Sequence, residues 1–559
     1  MISLGPTYPD NLLGRLMRLG SALARESRPI DRLVSPLRRP LDRAWYTHSG
    51  RLRELERLGE SVSRASRPAT GKRVLVLSLR MWTHHTAYES VIAQALRLRG
   101  VDVALLTCGG GQPICEVGWG RRVAPRPCDR CAYFTDRVAR RGRFPLLRLA
   151  DEFPWGSSSD EAPVEVDGSG DLSPAGSARP SVAWFTKSGD AEHARHGAAV
   201  QKDFEISMSA VESAFARILD RFRPDVVFAL NGLFAAERAV RAVAADRGVR
   251  VVTYEMASRK GALVFGQSNA APEMVMDGLA EDQLSQPLSK AESDALDTLL
   301  RARVTGASSH EQYFEKELEH EGEGVRTALG LRRGTRVASA FTNLSWDTAL
   351  FERDVAFESQ FDWLARAAEI VGRRDDTVLV IRVHPAESRW GTTQPVAAEL
   401  PKLLGALPRN VLVVPPHEPL SSYGLLAISD LVLCYTTTVG LEAAVRGIPA
   451  AVGGRTHYRG RGFTIDVDSH EDLARAIAEP AAMATEQVEL ARRYAFAFFF
   501  RRMVPFRHVR NVDGRLGELP VSANDLLPGR DPYLDFVCDR ILDGGDFFLP
   551  PALALGAAA

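Results

Sequence analysis

Apolar and polar positions alternate in blocks along most of the chain. Short runs that are almost wholly apolar are separated by longer stretches with helical spacing. Arg73-Val74-Leu75-Val76-Leu77-Ser78-Leu79, Val101–Leu106, Asp225–Leu230 and Val249–Tyr254 form a first series of such runs. Continuous apolar runs of this length mark strands buried on both faces, so the series predicts a parallel sheet covered by helices. Residues 87–99, 203–222 and 234–247 supply the helices, and Gly100 and Arg223-Pro224 close two of them. A second series follows: Arg336–Phe341, Asp376–Val383, Val411–Val414, Leu431–Tyr435 and Ala450–Val452, with a helix predicted over 358–372. The closing part predicts an Ala- and Phe-rich helix over 485–510 and another over 532–543.

Two βα series joined by a charged helical stretch predict an α/β protein with two Rossmann-like domains facing a cleft. The boundaries fall at 1–71 for a basic helical amino-terminal segment, 72–290 for the first domain and 291–334 for the connector. The second domain covers 335–485 and a helical tail 486–559. Residues 151–180 are rich in Gly, Ser, Pro, Asp and Glu with no apolar period, and read as a flexible insertion.

In open α/β sheets, ligands bind at the carboxyl ends of the strands. Asn343, Asp347, His384, Glu387, Thr437, Thr438 and Glu442 all fall at strand carboxyl ends or helix starts of the second series. The stretch Ser429–Pro449 is read as strand, loop and helix, with Thr437 or Thr438 as cap and Gly447 and Pro449 as stop. Such a helix start suits a phosphate, and Arg382, His384 and Arg461 add donors for a diphosphate. Glu442, one turn in, is placed to take ribose hydroxyls. The plain alternative is an ordinary strand–loop–helix. In the first series His84 and His85 are placed in a loop after the first strand, and Asn231 and Glu255 end two others. Glu255 is a candidate base for an acceptor hydroxyl, with His84 and His384 as further catalytic candidates; a surface carboxylate and incidental histidines are the alternatives.

Composition narrows the class. The chain has 559 residues, 45% hydrophobic and 25% charged, which is the profile of a globular protein of more than one domain. Seventy basic residues balance seventy acidic ones, so no global charge points to nucleic acid. No window reaches the ~20 apolar residues of a membrane span, and the start has no signal-peptide core. The expected location is therefore cytoplasmic. The leucine- and arginine-rich segment 1–70 gives two readings: peripheral contact with the inner face of an anionic membrane, or a helix packed on its own domain.

Four of the six cysteines, Cys108, Cys115, Cys128 and Cys131, fall within one short stretch. Their C-x6-C-x12-C-x2-C spacing leads us to expect a structural zinc, or an iron–sulfur cluster with the same ligands, against the alternative of free thiols. No organic cofactor is expected.

The second series also carries a resemblance. Thr437-x-x-Gly440-x-Glu442-Ala443-x-x-x-Gly447-x-Pro449 resembles the donor-binding signature of GT-B glycosyltransferases. Arg382-Val383-His384-Pro385-x-Glu387 resembles the His-Pro motif of bacterial capsule polysaccharide biosynthesis proteins. Phe341-Thr342-Asn343-x-x-Trp346-Asp347 and His457-Tyr458-x-Gly460-x-Gly462-Phe463-Thr464 are similar to segments of the same group. The resemblance covers residues 335–480 well and 72–260 more loosely. It implies a GT-B glycosyltransferase that moves a sugar from a nucleotide-sugar donor to a surface polysaccharide or glycolipid acceptor. In that family pattern, His384 contacts donor phosphate and Glu442 the nucleoside. The acidic D/E-D/E-G motif of the polysialyltransferases in this group has no counterpart here. Glu255 and His84 therefore stand on the reading of the residues alone. The rivals are a nucleotide-sugar epimerase and a non-catalytic nucleotide-sugar-binding subunit of a capsule assembly complex.

Overall fold

The computed structural model describes residues 50–65, 68–119, 128–153, 178–190, 194, 196–276, 278–279, 281–307, 322–512 and 515–557. The predicted segment 1–49, most of the predicted insertion (154–177) and part of the connector (308–321) lie outside the described residues.

The first sheet contains β1 (Arg73–Leu77), β2 (Asp102–Thr107), β3 (Leu146–Arg148), β4 (Val226–Leu230), β5 (Arg250–Met256) and β6 (Ala262–Gln267). The second contains β7 (Arg336–Phe341), β8 (Thr377–Arg382), β9 (Val411–Val414), β10 (Leu431–Cys434), β11 (Ala450–Val452) and β12 (Ile465–Asp466). A last strand, β13 (Val504–Pro505), returns to the first sheet. The strand orders are β13-β6-β5-β4-β1-β2-β3 and β9-β8-β7-β10-β11-β12. The second sheet is parallel throughout. The first is parallel from β3 to β5 and antiparallel where β6 meets β5 and β13. The predicted α/β class with two Rossmann-like units is what forms. Continuous burial of β4 and β10 explains why both lack an alternating polar face.

The helices that matter below are α1 (Gly50–Arg64), α2 (Thr83–Arg97), α3 (Cys128–Arg141), α4 (Arg179–Thr186), α5 (Gly197–Phe222) and α6 (Ala235–Asp246). They continue with α7 (Lys290–Val304), α8 (Gln360–Gly372), α9 (Val439–Val445), α10 (Thr485–Phe496) and α11 (Pro532–Asp543). On α1, Leu52, Leu55, Leu58 and Val62 recur at helical spacing and are buried in the first unit's core, against α2 and α3. Gly59 allows this approach: a Cβ there would lie 2.5 Å from the Cα of Gly142. The apolar face of this part of the basic segment is thus covered by protein.

The tail is less helical than its sequence predicts. After α10 the chain makes a π-helical turn over Ala497–Arg502, then forms β13 and a hairpin of Arg510–Val512 with Arg515–Glu518. A core drawn from β6, α7, α9, β11 and the α10 region joins the two units behind the cleft, through residues such as Val264, Leu296, Leu441, Val452 and Phe499.

Candidate functional site

Strand register brings the second unit's candidates to one edge. Arg382 pairs with Phe341, Phe341 with Cys434, and Cys434 with Val452, so the residues that follow these four strand ends are neighbours. Local bonds stitch the edge together. His384 N donates to Thr342 Oγ1 at 3.0 Å, and Thr436 N donates to Asn343 Oδ1 at 3.3 Å. Asn343 N donates to Gln360 Oε1 at 2.6 Å, which fixes it to the start of α8.

His384 is held in one tautomer. Its Nδ1 accepts from Ala386 N at 3.1 Å, so the ring proton of the neutral form sits on Nε2. Burial and the nearby Arg382 charge lower its pKa to about 4, so at neutral pH the ring is an uncharged donor. Arg382 itself is buried. Its guanidinium donates to Pro415 O (2.8 Å) and Glu418 O (3.3 Å) and lies 3.4 Å from Ser422 Oγ, so it braces loops behind the edge. Glu387 is buried on the turn after His384, accepts from Val396 N at 3.3 Å, and is pushed up to about 7 by desolvation.

Around α9 the structure differs in detail from the expectation. The helix spans only seven residues, and neither threonine caps it with a side chain: Thr438 stands at the cap without such a bond, and Thr437 Oγ1 faces Cys434 Sγ at 3.5 Å. Gly440 packs under Tyr458, where a Cβ would lie 2.5 Å from the phenol oxygen. That oxygen donates to Thr437 O at 2.5 Å. Glu442 is 1% exposed and turned inward, where its Oε1 accepts from Arg303 Nη2 at 2.8 Å and Nε at 3.0 Å. Arg303 is delivered by α7, whose start is fixed by a capping box between Ser289 and Glu292. Arg461 is half-buried beside Tyr494, its guanidinium 5.7 Å from the ring centre.

In the first unit, Glu255 is positioned by its neighbours. Asn231, at φ 22°, ends β4 and its Oδ1 accepts from Leu233 N (2.8 Å) and Phe234 N (3.4 Å). That fixes the amide so that its NH2 group donates to the Glu255 carboxylate. Glu255 also accepts from Met256 N at 2.8 Å. Burial pushes its pKa up to about 7, with Asp347 and Glu237 adding like charge. Its side chain keeps 23% exposure, so this carboxylate is partly open to solvent.

His84 and His85 sit in the first turn of α2 rather than in a loop, and both are buried. The histidine beside the candidate base is His85, whose Nε2 lies 4.0 Å from Glu255 Oε1. Burial, His84 and Arg80 hold its pKa well below the usual histidine range. Arg80 is a fully interior cation that binds Glu237 through both Nη atoms at 2.5 and 2.9 Å, and Glu116 through Nε at 2.6 Å. Ser181 Oγ donates to Glu116 Oε1 at 2.5 Å and accepts from Ala235 N at 2.7 Å, which ties α4 and α6 to this network.

The two units meet at a feature with no sequence signal. Lys187 follows α4 in a left-handed conformation, φ 58°. Its Nζ lies 3.8 Å from the ring centres of both Trp184, from the first unit, and Trp346, from the second. Its backbone carbonyl accepts from Thr393 N at 2.9 Å across the same junction. Lys187 is 6% exposed, its Nζ has no hydrogen-bond partner among the described residues, and desolvation lowers its pKa to about 7. Asp347 opposes that shift and also raises Glu255, so it sits near both groups.

The expected metal at the cysteines is corrected. None of the four forms a disulfide, and among the described residues no group of three or more His, Cys, Asp or Glu side chains is arranged to hold a metal ion. Cys128 and Cys131 lie in the first turn of α3, and Cys115 in a short hairpin. Cys115 Sγ donates to Gly118 O at 3.8 Å and Cys131 Sγ to Leu79 O at 3.9 Å. Desolvation pushes Cys115 up to about 12 and Cys131 higher still, so both stay protonated at neutral pH.

Residues 355–495 match the family model described as capsule polysaccharide biosynthesis protein. The capsule-family match includes His384, Glu387, Thr437, Thr438, Gly440, Glu442 and Arg461 and stops short of Asn343, Asp347, Glu255 and the Lys187 junction. No curated protein matches the chain. Among solved structures, the chain is similar to the β-Kdo 2,7 transferase of Thermosulfurimonas dismutans KpsC at 13% identity, covering 56% of this chain and 87% of that one, with a TM-score of 0.32. It is also similar to the β-Kdo 2,4 transferase of the same KpsC at 14% identity, 54% and 87% coverage and a TM-score of 0.34. UDP-GlcNAc 2-epimerase from Neisseria meningitidis, bound to UDP-GlcNAc, matches at 12% identity, 75% and 94% coverage and a TM-score of 0.25. TM-scores this low assign neither substrate nor site. Among the described residues, no helix is long and apolar enough to cross a membrane.

Proposed function

We propose that the chain is a glycosyltransferase of capsule or surface-polysaccharide synthesis, moving a sugar from a nucleotide-sugar donor to a glycan or glycolipid acceptor. The observation that carries this reading is Glu255: a partly exposed carboxylate, oriented by Asn231 and raised to about 7, at the strand ends of the unit outside the capsule-family match. A base with this pKa is suited to take a hydroxyl proton near neutral pH. On this reading an acceptor hydroxyl attacks the sugar's anomeric carbon. Its proton goes to Glu255, and the bond to the nucleotide breaks with its electron pair on the departing phosphate.

On the donor side, His384 Nε2–H, the Asn343 edge and Arg461 are proposed to meet the phosphates, where donors lower the cost of the charge that develops on departure. Glu442, Gly440, Thr437, Thr438, Glu387 and Arg382 are proposed to shape that edge from behind, and Asp347 to set the charge at the mouth of the cleft. His84 is proposed to support His85 rather than touch substrate. The acceptor half corresponds to residues 72–290 and the donor half to 335–485.

The test is a thermal-shift panel with CMP-, CDP-, UDP- and GDP-linked sugars, followed by product analysis with the stabilising donor. A ligand at ~100 times its dissociation constant adds roughly 2.7 kcal/mol. Glycan extension that Glu255→Gln abolishes in a folded protein is the expected result. An epimerised donor, binding without turnover, or full activity in Glu255→Gln rejects the reading.

A further inference from the structure

The loop between β7 and α8, residues 342–359, belongs to the second unit, yet the first unit holds it at two points. Near its start the Trp346 ring lies against the Lys187 amine. Further on, Arg238 of α6 donates through Nη1 to Glu352 Oε1 at 2.9 Å, and the Arg179 guanidinium of α4 lies 5.8 Å from the Phe351 ring centre. The reaction proposed above uses neither Arg238 nor Glu352.

On the first-unit side the pair leads to Glu255. Arg238 is buried, and its Nε donates to Leu233 O at 3.1 Å, which ties the guanidinium to the turn after β4. Leu233 N donates to Asn231 Oδ1 at 2.8 Å, and the Asn231 amide donates to the Glu255 carboxylate. On the second-unit side the pair leads to the edge that carries Asn343. Glu352 has φ 63°, a backbone conformation that costs a residue with a Cβ and persists where neighbours impose it. Its side chain is 63% exposed, so packing does not aim it and the ion pair does. The next two residues fasten the loop to its own unit: Arg353 O accepts from Arg455 N at 2.7 Å, and Asp354 Oδ1 accepts from Tyr435 Oη. Gly454 permits this approach, since a Cβ there would lie 2.9 Å from Tyr435 O and 3.2 Å from Arg353 O. Tyr435 is followed by Thr436, whose N donates to Asn343 Oδ1 at 3.3 Å. Every step from Glu255 to Asn343 is therefore a hydrogen bond or a run of the chain itself, and the path changes units at one ion pair.

We propose that Arg238 and Glu352 are positioning residues whose ion pair holds the donor-side edge in register with Glu255. The proposal rests on reading Glu255 as the base of a glycosyl transfer. Neither residue touches substrate; Arg238 acts through the Asn231 turn, and Glu352 through the loop fastened to Tyr435 and Arg455.

The expected effect follows from where the parts sit. Transfer needs the base, the acceptor hydroxyl and the anomeric carbon within reach at one moment, and the base and the proposed donor edge are on different units. A displacement of about 1 Å between reacting groups can cost as much as ~10²-fold in rate. The proposed donor contacts all lie in the second unit, so losing the clasp leaves donor affinity in place and removes alignment. An ion pair with one exposed partner adds little to stability, so its loss leaves the fold intact.

Two measurements on the full-length protein test the clasp. The first needs no ligand: amide hydrogen exchange, read by mass spectrometry, in the wild type, in Glu352→Lys, which sets a like charge against Arg238, and in Glu352→Gln, which keeps an acceptor of the same length. In Glu352→Lys we expect peptides covering 231–236 and 434–438, one on each unit, to exchange about two- to fivefold faster, the scale of one exposed ion pair. In Glu352→Gln both should stay near the wild type. The second measurement uses the donor that the nucleotide-sugar panel identifies. Glu352→Lys is expected to lower kcat by about tenfold with the donor KM within about twofold of the wild type, and Glu352→Gln to recover most of kcat. Unchanged exchange at 231–236 in Glu352→Lys, an equal loss of kcat in Glu352→Gln, or a loss seen in KM alone overturns the proposal. If exchange changes as expected while Glu255→Gln keeps full activity, the clasp stands and the reading of Glu255 as base fails instead.

Discussion

Arg303 and Glu442 form a buried ion pair that joins α7 to α9, with Nη2 and Oε1 2.8 Å apart. Arg303 also donates to Ser258 O of the first unit at 3.3 Å, so one guanidinium ties three parts of the chain. Removing one partner of a buried pair leaves the other charge uncompensated, which typically costs about 3–5 kcal/mol. We expect Arg303→Ala to lose stability on this scale in urea unfolding, and Arg303→Met combined with Glu442→Leu to recover most of it. We also expect Arg303→Met alone to weaken donor binding as much as Glu442→Ala does. Normal donor affinity in Arg303→Met, beside a loss in Glu442→Ala, would show instead that the carboxylate itself meets the ligand.

Gly440 is fixed by contact, not by backbone conformation. A methyl group there would meet Tyr458 Oη at 2.5 Å and Cζ at 3.1 Å. Overpacking of this kind costs about 1–3 kcal/mol. Gly440→Ala should therefore lower the melting temperature, and Tyr458→Phe, which removes the nearest atom, should restore part of the loss in the double variant. Additive effects would mean that the two sites do not press on each other.

Lys187 should make stability depend on pH in the alkaline range. Its folded pKa, about 7, lies below the ordinary 10.5, so between these values the unfolded chain binds more protons. Stability from this group therefore rises as pH goes from 7 to 10.5. Relative to Lys187→Met, the wild type should gain melting temperature across that window. Parallel curves would show that the amine is not desolvated between the indoles.

Glu89 should act in the opposite direction. Its folded pKa of about 8 exceeds the ordinary 4.5, so the folded protein binds more protons between these values. Stability falls as pH rises from 4.5 to 8, and Glu89→Gln should remove that fall. Thermal unfolding at several pH values, with the variant losing as much as the wild type, would refute the assignment.

Cys115 and Cys131 should resist alkylation. Both thiols are raised by desolvation and each donates to a backbone carbonyl, so the reactive thiolate is scarce at neutral pH. Mass spectrometry after iodoacetamide treatment of native protein should show little modification at either. Rapid labelling of both would contradict the raised thiols.

The sheets were legible because parallel strands buried on two faces leave runs such as Val226–Leu230 and Thr377–Arg382 with no polar interruption. The candidates at strand ends, Asn231, Glu255, Asn343 and His384, followed from that register. The return of the tail to the first sheet was not legible: β13 has two residues, one of them proline, and carries no period. Placing His84 and His85 in a loop failed because Trp82 offers no side-chain cap to announce the start of α2. The Lys187 junction and the contact of His85 with Tyr254 arise from packing between distant segments. His85 and Tyr254 are 169 residues apart, beyond any local pattern.

The return of β13 also sets an order of assembly. Val504 pairs with Leu263, and Arg99 of the first unit pairs with Asp535 of α11. Leu534, Val537 and Ile541 complete the core that β1 and α2 begin. During synthesis, the sheet that starts at Arg73 remains without its edge strand and without part of its core until residues beyond 540 have left the ribosome. The first unit therefore stays incomplete until the chain beyond the second unit has been made.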